Sequence, residues 1–293
     1  MHFLPNHVYT IASREQYNDT NVLLDLYEPT SENGTPSYIW SQSDQKEALN
    51  QRWLVKEVDG HPGIYTLRNI RTGTYLDLNE GSSKNGTKVQ GWASLAGTPH
   101  AQNSQWRIIA SGNHFKIQNV ASKTYLDLAG KKHIPGTQVV GWQIDSTPTQ
   151  DWVFRRVSRT GTEIKALLAS NKSVDNNVES YLKEGIYIVL PKSVRDDILH
   201  RSGLGSSLKW RKEIFDSDDF AFVSKSHVAK WGATELLGDG FAILWGVVFG
   251  GQKDSAHVYN FFLNDNLDGI VFCDPKTGEQ KDTIRHKGYL SLF

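Results

Sequence analysis

TYLDL at Thr74–Leu78 recurs letter for letter at Thr124–Leu128, and VLLDL at Val22–Leu26 is a third, looser copy. The acids inside these runs, Asp25, Asp77 and Asp127, are spaced by 52 and 50 residues. Each is followed 15 residues later by a tryptophan: Trp40, Trp92 and Trp142. A Gly-Thr falls between acid and tryptophan every time, at Gly34-Thr35, Gly86-Thr87 and Gly136-Thr137. Upstream, YTLRN (Tyr65–Asn69) matches FKIQN (Phe115–Asn119). Self-similarity at a fixed period of this size is the mark of a repeat architecture. The repeated runs alternate apolar and polar residues between Gly/Asn/Ser clusters, which predicts short strands. Three such units, each too small to bury its own apolar face, must share one core.

Composition sharpens this reading. Six of the nine tryptophans form three pairs, Trp40/Trp53, Trp92/Trp106 and Trp142/Trp152. The later member of each pair opens a triplet that ends on an apolar residue (Val55, Ile108, Phe154), so Trp53, Trp106 and Trp152 are assigned to the core. Two tryptophans per repeat exceed what one small core needs, which leaves Trp40, Trp92 and Trp142 for the surface. The 32 basic and 32 acidic residues cancel, against the basic face that a nucleic-acid partner requires. The single cysteine, Cys273, excludes an internal disulfide framework and a cysteine-built zinc site. The longest apolar stretch, Gly240–Gly250, is far shorter than the roughly 20 residues of a membrane span. The start MHFLPNHVYT lacks a basic segment followed by an apolar run. The expectation is a soluble, intracellular protein of two domains, residues 1–156 and 157–293.

The threefold Asp…Trp…Gln-x-Trp pattern over residues 6–156 resembles the ricin-B-type β-trefoil lectins. That resemblance implies a carbohydrate site in each repeat: an Asp accepting from sugar hydroxyls, an aromatic ring against the apolar sugar face, and an Asn three residues before the last Trp. Aromatic planes and a few convergent polar groups suit a pyranose on physical grounds as well. The second repeat matches best, with Asp77, Gln90, Trp92 and Asn103, and the first offers Asp25, Trp40 and Asn50. The third has Asp127, Trp142 and Gln150, but Thr149 replaces the Asn. In the second repeat Ser104 stands where Gln51 and Gln150 stand in the others, which is expected to loosen Asp77.

From about Ser158 the repeat stops. Thr162–Ala169 and Ser193–His200 have helical spacing, and Phe220, Val223, His227, Val228 and Trp231 form one apolar helix stripe. The acidic run Asp216–Asp219 would start that helix and Gly232 would follow its end. Strands are predicted at Phe241–Phe249, Ala256–Leu263 and Gly269–Asp274. The second domain is therefore read as mixed α+β. A residue at a helix start, a His on a strand and an acid at another strand's end occur in the order found in papain-like cysteine peptidases.

KWRKEIFDSDDFA (Lys209–Ala221), AKWG (Ala229–Gly232), AHVYNFF (Ala256–Phe262) and VFCDP (Val271–Pro275), with the trefoil, resemble the chimeric mushroom lectins typified by Marasmius oreades agglutinin and Polyporus squamosus lectin. The resemblance implies an all-β trefoil fused to a papain-like α+β domain that forms a homodimer. It further implies binding to galactose-terminated or sialylated glycans on glycoproteins or glycolipids, a cytoplasmic defence role and, in active members, a calcium-enabled cysteine protease. Here Ser217 stands where that family has its nucleophilic Cys, and Asp274 where it has Glu. His257 is the corresponding base, and Trp210 is expected beside the site. Asp216 and Asp218 are the candidate calcium ligands, carboxylates being suited to a hard cation. Lys276-Thr277 replaces a pair expected near that ion. A serine gains much less than a thiol from a helix N-terminus and a neighbouring His, so the expectation is a lectin whose peptidase site is inactive, a weak or silenced peptidase being the alternative. Cys273 would face away from Asp274 into the core.

Overall fold

The computed structural model describes residues 4–181, 185–204, 208–252 and 255–293. The chain divides into two compact units, one of residues 1–157 joined by 236–239, the other of residues 158–235 and 240–293.

The first unit holds twelve strands: β1 His7–Ser13, β2 Val22–Leu26, β3 Thr35–Ser41, β4 Trp53–Val58, β5 His61–Asn69, β6 Tyr75–Leu78, β7 Thr87–Trp92, β8 Trp106–Ser111, β9 His114–Asn119, β10 Tyr125–Leu128, β11 Val139–Trp142 and β12 Trp152–Arg156. Strands β1, β12, β9, β8, β5 and β4 pair in that cyclic order and close into a six-stranded barrel. The hairpins β2–β3, β6–β7 and β10–β11 form a triangular cap. The cap closes through β3–β7, β7–β11 and a Tyr38–Gln138 bridge. This is a β-trefoil. Its single core contains Trp53, Trp106 and Trp152, all fully buried. Their indole N–H groups donate to the Leu24, Leu76 and Leu126 carbonyls at 2.9, 2.9 and 3.1 Å. Each buried tryptophan thus fixes the residue just before Asp25, Asp77 or Asp127, which explains why a ring with one polar atom recurs at this core position.

The Gly-Thr turns link neighbouring repeats. Gly34, Gly86 and Gly136 have φ of 89°, 84° and 86°, a region that favours glycine. Their N–H groups donate to Gly91, Gly141 and Ile39. A Cβ on them would lie 3.9 Å from Trp92, 3.7 Å from Trp142 and 3.2 Å from Trp40 respectively. Asn33 and Asn85 add a bond from the N–H after each of the first two of these tryptophans, Ala93 and Gln143, both at 2.7 Å. Each of Trp40, Trp92 and Trp142 therefore rests against the turn of another repeat.

The second unit contains β13 Ser158–Thr160, α1 Gly161–Ser170, β14 Val174–Tyr181, β15 Ile186–Ile188, α2 Lys192–Ser202, α3 Ser217–Glu235, β16 Ala242–Ile243, β17 Gly246–Gln252, β18 Ser255–Leu263, β19 Ile270–Cys273, β20 Gln280–Lys281 and β21 Lys287–Leu292. A six-stranded sheet in the order β14-β21-β17-β18-β19-β20 accompanies a three-stranded one, β13-β15-β16. Helix α1 opens on a capping box between Thr160 and Glu163.

Three local expectations are corrected. Gly232 does not end α3, which continues to Glu235. A Cβ there would meet Ile243 Cδ1 at 2.6 Å, so the glycine serves close packing. The buried face of α3 is Phe220, Ala221, Ser224, Val228 and Gly232. Val223, His227 and Trp231 are only half-buried, because small residues bring the helix close at Ala221 and Gly232 while Ser224 accepts from Trp245 Nε1 at 2.9 Å. The predicted Phe241–Phe249 strand is two strands in different sheets, β16 and β17, with buried Leu244 and Trp245 crossing between them.

Candidate functional site

In the second repeat, β6 and β7 pair so that Asp77 stands opposite Gln90 and Tyr75 opposite Trp92. Asp77 is 2 % exposed. Its Oδ1 accepts from Gln90 Nε2 at 3.3 Å, and Gln90 also donates to Asn79. Its Oδ2 is buried with no hydrogen-bond partner. Burial pushes the carboxyl up to about 6, partly opposed by the Gln90 bond. The cause lies in the sequence: the Ser104 hydroxyl donates to the Ala101 carbonyl at 3.3 Å and does not reach Asp77 as a longer Gln would. Asn103 lies beside Gly81, whose added Cβ would come 2.3 Å from Asn103 Oδ1. The amide of Asn103 makes no side-chain hydrogen bond among the described residues. With half-buried Trp92, this site combines an orphaned acceptor, a spare amide and an aromatic ring.

The first repeat is similar but more filled. Asp25 faces Tyr38 across β2–β3 and is pushed up to about 7 by burial, with the Gln51 amide and the Arg71 charge opposing. Asn50 Oδ1 accepts from Arg71 Nη1 at 2.9 Å, so that amide is already engaged. Trp40 is 50 % exposed.

The third repeat differs in kind. Asp127 is fully buried and accepts from the Leu128 N–H at 2.7 Å and from Gln150 Nε2 at 2.8 Å. Lys131 pairs with Asp127 and, at 2.6 Å, with Asp145. Its ammonium also lies 5.3 Å from the centre of the Trp142 ring. Burial favours the neutral amine, but the two carboxylates outweigh it and hold Lys131 above its ordinary value. Sequence reasoning missed Lys131 because a lysine in a Gly-rich turn reads as a solvated surface charge.

The raised carboxyls give a pH prediction. Sugar hydroxyls bond best to an ionised acceptor, so affinity at Asp77 should level off above about pH 7 and fall up to about tenfold per unit below about pH 6. Folding responds with the opposite sign. A carboxyl raised in the fold stabilises it while protonated, so the contribution of Asp25 and Asp77 is lost as pH rises through 6 to 7. Galactoside titrations and thermal melts between pH 5 and 8 check both directions.

In the second unit, Ser217 begins α3, His257 lies on β18 and Asp274 follows β19 directly. His257 Nε2 is 3.3 Å from Asp274 Oδ2. Burial would raise Asp274, but the His257 bond, the Thr277 and Lys276 N–H groups and the His257 charge hold it down at about 2. Those two N–H groups reach Oδ1 at 3.0 and 2.9 Å, which is the role of the Lys276-Thr277 turn. The Ser217 hydroxyl accepts from the Val258 N–H at 3.2 Å and makes no hydrogen bond to His257 among the described residues. The structure thus brings base and orienting acid together, with Ser217 beside the residue after the base. Trp210 is 49 % exposed, in a segment that leads into an exposed tight turn in which Arg211 and Phe215 pair. The histidine not anticipated is His286, stacked on His257 with centroids 5.7 Å apart and bonded to the Tyr259 hydroxyl at 2.9 Å. Cys273 is fully buried and its thiol pushed up to about 12 by burial, then by the Asp274 charge. It is a core residue.

Asp216, Asp218 and Asp219 bring carboxylate oxygens within 4.8 Å of one another. A hydrogen bond between Asp216 and Asp218 lowers the first and raises the second. Three half-buried oxygen donors crowded enough to share a proton are a donor set suited to a hard cation.

Comparison with known proteins follows the same division. The family model for the ricin-type beta-trefoil lectin domain-like family matches residues 3–92 and 102–186. The agglutinin C-terminal model matches residues 187–280. Two solved structures align over 100 % of both chains at 34 % identity. One is Polyporus squamosus lectin bound to the human-type influenza-binding epitope Neu5Acα2-6Galβ1-4GlcNAc, with a TM-score of 0.86. The other is a complex of PSL1a with E64, with a TM-score of 0.85. No match is found among curated proteins. No described helix is long and apolar enough to cross a membrane.

Proposed function

The chain belongs to the ricin-type β-trefoil lectin domain-like family, and from that premise we propose that it is a lectin for galactose-terminated or sialylated glycans of glycoproteins and glycolipids. The observation that carries this reading is the second repeat, where a buried carboxylate with one oxygen unpartnered stands beside a half-buried tryptophan. An unsatisfied buried acceptor is costly, and sugar hydroxyls supply the missing donors while the ring covers the C–H face. The epitope carried by the Polyporus squamosus lectin structure contains both sugars. The first repeat adds a second site, and dimerisation through the second unit would multiply the sites into an agglutinin. A glycan array tests this: the chain should retain terminal galactosides and sialyl-galactosides, and Trp92→Ala should lose about tenfold, the worth of one aromatic contact. Retention of neither class would overturn it.

For the second unit we propose a papain-like domain without peptidase activity. Its base and orienting acid, His257 and Asp274, are paired, while Ser217 lacks the acidity that makes a cysteine reactive. Asp216, Asp218 and Asp219 would hold calcium, which supplies positive charge at the start of α3. Millimolar calcium should raise the melting temperature of the chain by several degrees through preferential binding to the fold. Asp218→Asn should remove that increment; an equal calcium effect in this variant would remove the site. We further propose a cytoplasmic location and a defence role for the chain; fractionation of the producing cells would test the location.

A further inference from the structure

We propose that Lys131 is a built-in plug that closes the third repeat's sugar site, so that the trefoil presents fewer working sites than its threefold fold offers. The inference rests on the reading of the Asp–Trp pairs as sugar sites.

The three repeats are compared at equivalent atoms. In the second repeat Asp77 Oδ2 has no partner. In the third, both oxygens of the equivalent Asp127 are engaged by protein donors: the Leu128 N–H on Oδ1, and Gln150 with the Lys131 ammonium on Oδ2. Lys131 is anchored a second time by Asp145, which Thr147 also holds through its N–H at 2.9 Å. Its ammonium sits against Trp142, the ring that would otherwise meet a sugar face. One side chain thus covers both the polar and the aromatic halves of the site.

Two sequence changes make room for it. Four residues after the acid, the second repeat has Gly81 (φ 59°) and the third has Lys131 (φ 57°) on the same left-handed backbone. A side chain at Gly81 would strike Asn103, 2.3 Å from the added Cβ. The third repeat has Thr149 at that position, turned away to bond the Thr147 hydroxyl at 2.8 Å. Lys131 and Thr149 are a matched pair, and Asp145 completes the lock where the second repeat has Leu95. A neutral sugar would have to displace an ammonium from two carboxylates. Charge-assisted bonds are roughly twice as strong as hydroxyl bonds, so affinity at this site should be at least about a hundredfold below that of the second repeat.

The test is a titration with methyl β-galactoside, followed by calorimetric stoichiometry and by the indole N–H signals of Trp92 and Trp142. In the unmodified chain Trp92 should shift and Trp142 should not. In Lys131→Gly, and more fully in Lys131→Gly/Thr149→Asn, Trp142 should shift too and stoichiometry should rise by one per chain. The reverse transplant, Gly81→Lys/Leu95→Asp/Asn103→Thr, should silence Trp92 while Leu95→Asp/Asn103→Thr only weakens its shift, which keeps the inference testable where the first variants fold poorly. A saturable Trp142 shift in the unmodified chain, or a folded Lys131 variant with no added site, overturns the plug. Silence of Trp92 as well as Trp142 in the unmodified chain overturns the sugar-site reading beneath it.

Discussion

Replacing Asp77 with asparagine is expected to weaken β-galactoside binding at the second repeat about a hundredfold without lowering the melting temperature. Hydrogen bonds to a charged acceptor are worth about 1.5–3 kcal/mol each, and a neutral amide keeps the shape but loses the charge. The folded chain pays to bury this carboxylate, as its rise to about 6 records, so removing the charge costs no stability at neutral pH and raises it slightly. That combination separates the site from the scaffold. A variant that lost binding together with several degrees of thermal stability would instead place Asp77 among the structural turn residues. Calorimetric titration beside a thermal melt reads both quantities.

The second large effect is a gain. Ser217→Cys should turn the second unit into one that is labelled by E64 and cleaves denatured protein in the presence of calcium. The thiol would stand at the first residue of α3, where the helix dipole favours an anion, close to a His257 already oriented by Asp274. Asp216, Asp218 and Asp219 oppose the thiolate electrostatically, and with a cation held by those carboxylates that opposition is removed. In labelling, the thiolate sulfur bonds an epoxide carbon, the carbon–oxygen bond opens, and the oxygen takes a proton. The mass of the chain therefore rises by the whole inhibitor. The expected contrast is no adduct on the unmodified chain, complete labelling of Ser217→Cys, and none on Ser217→Cys/His257→Ala. Failure of Ser217→Cys to label with calcium present would mean that the base and the acceptor position are no longer aligned.

Much of this was legible in the sequence because the trefoil is written three times. A period near 50 sorts the tryptophans into pairs whose later members have an apolar residue two places on, and the fully buried Trp53, Trp106 and Trp152 match the core assignment of those members. The Ser104 exchange was equally readable, since a serine is too short to span the gap a glutamine spans. What escaped were effects visible only between segments. Lys131 reads as an ordinary charged turn residue until the fold brings Asp145 to its other side. His286 is 29 residues from His257 in an unpatterned stretch, and it is the pairing of β21, which starts at the next residue, with β17 beside β18 that brings it near. Gly232 carries the same letter as a helix terminator, and nothing local reveals that Ile243 packs against it.

The turns that hold the surface tryptophans carry a consequence for how such a protein divides and evolves. The floor under Trp92 is Gly34 of the first repeat, that under Trp142 is Gly86 of the second, and that under Trp40 is Gly136 of the third. A single excised repeat therefore owns its acid and its ring but borrows the ground on which the ring stands. Ownership of each site is split around a closed circle. The heritable unit is fifty residues long, yet every site spans two of them, and only the closed ring of three completes all the sites at once.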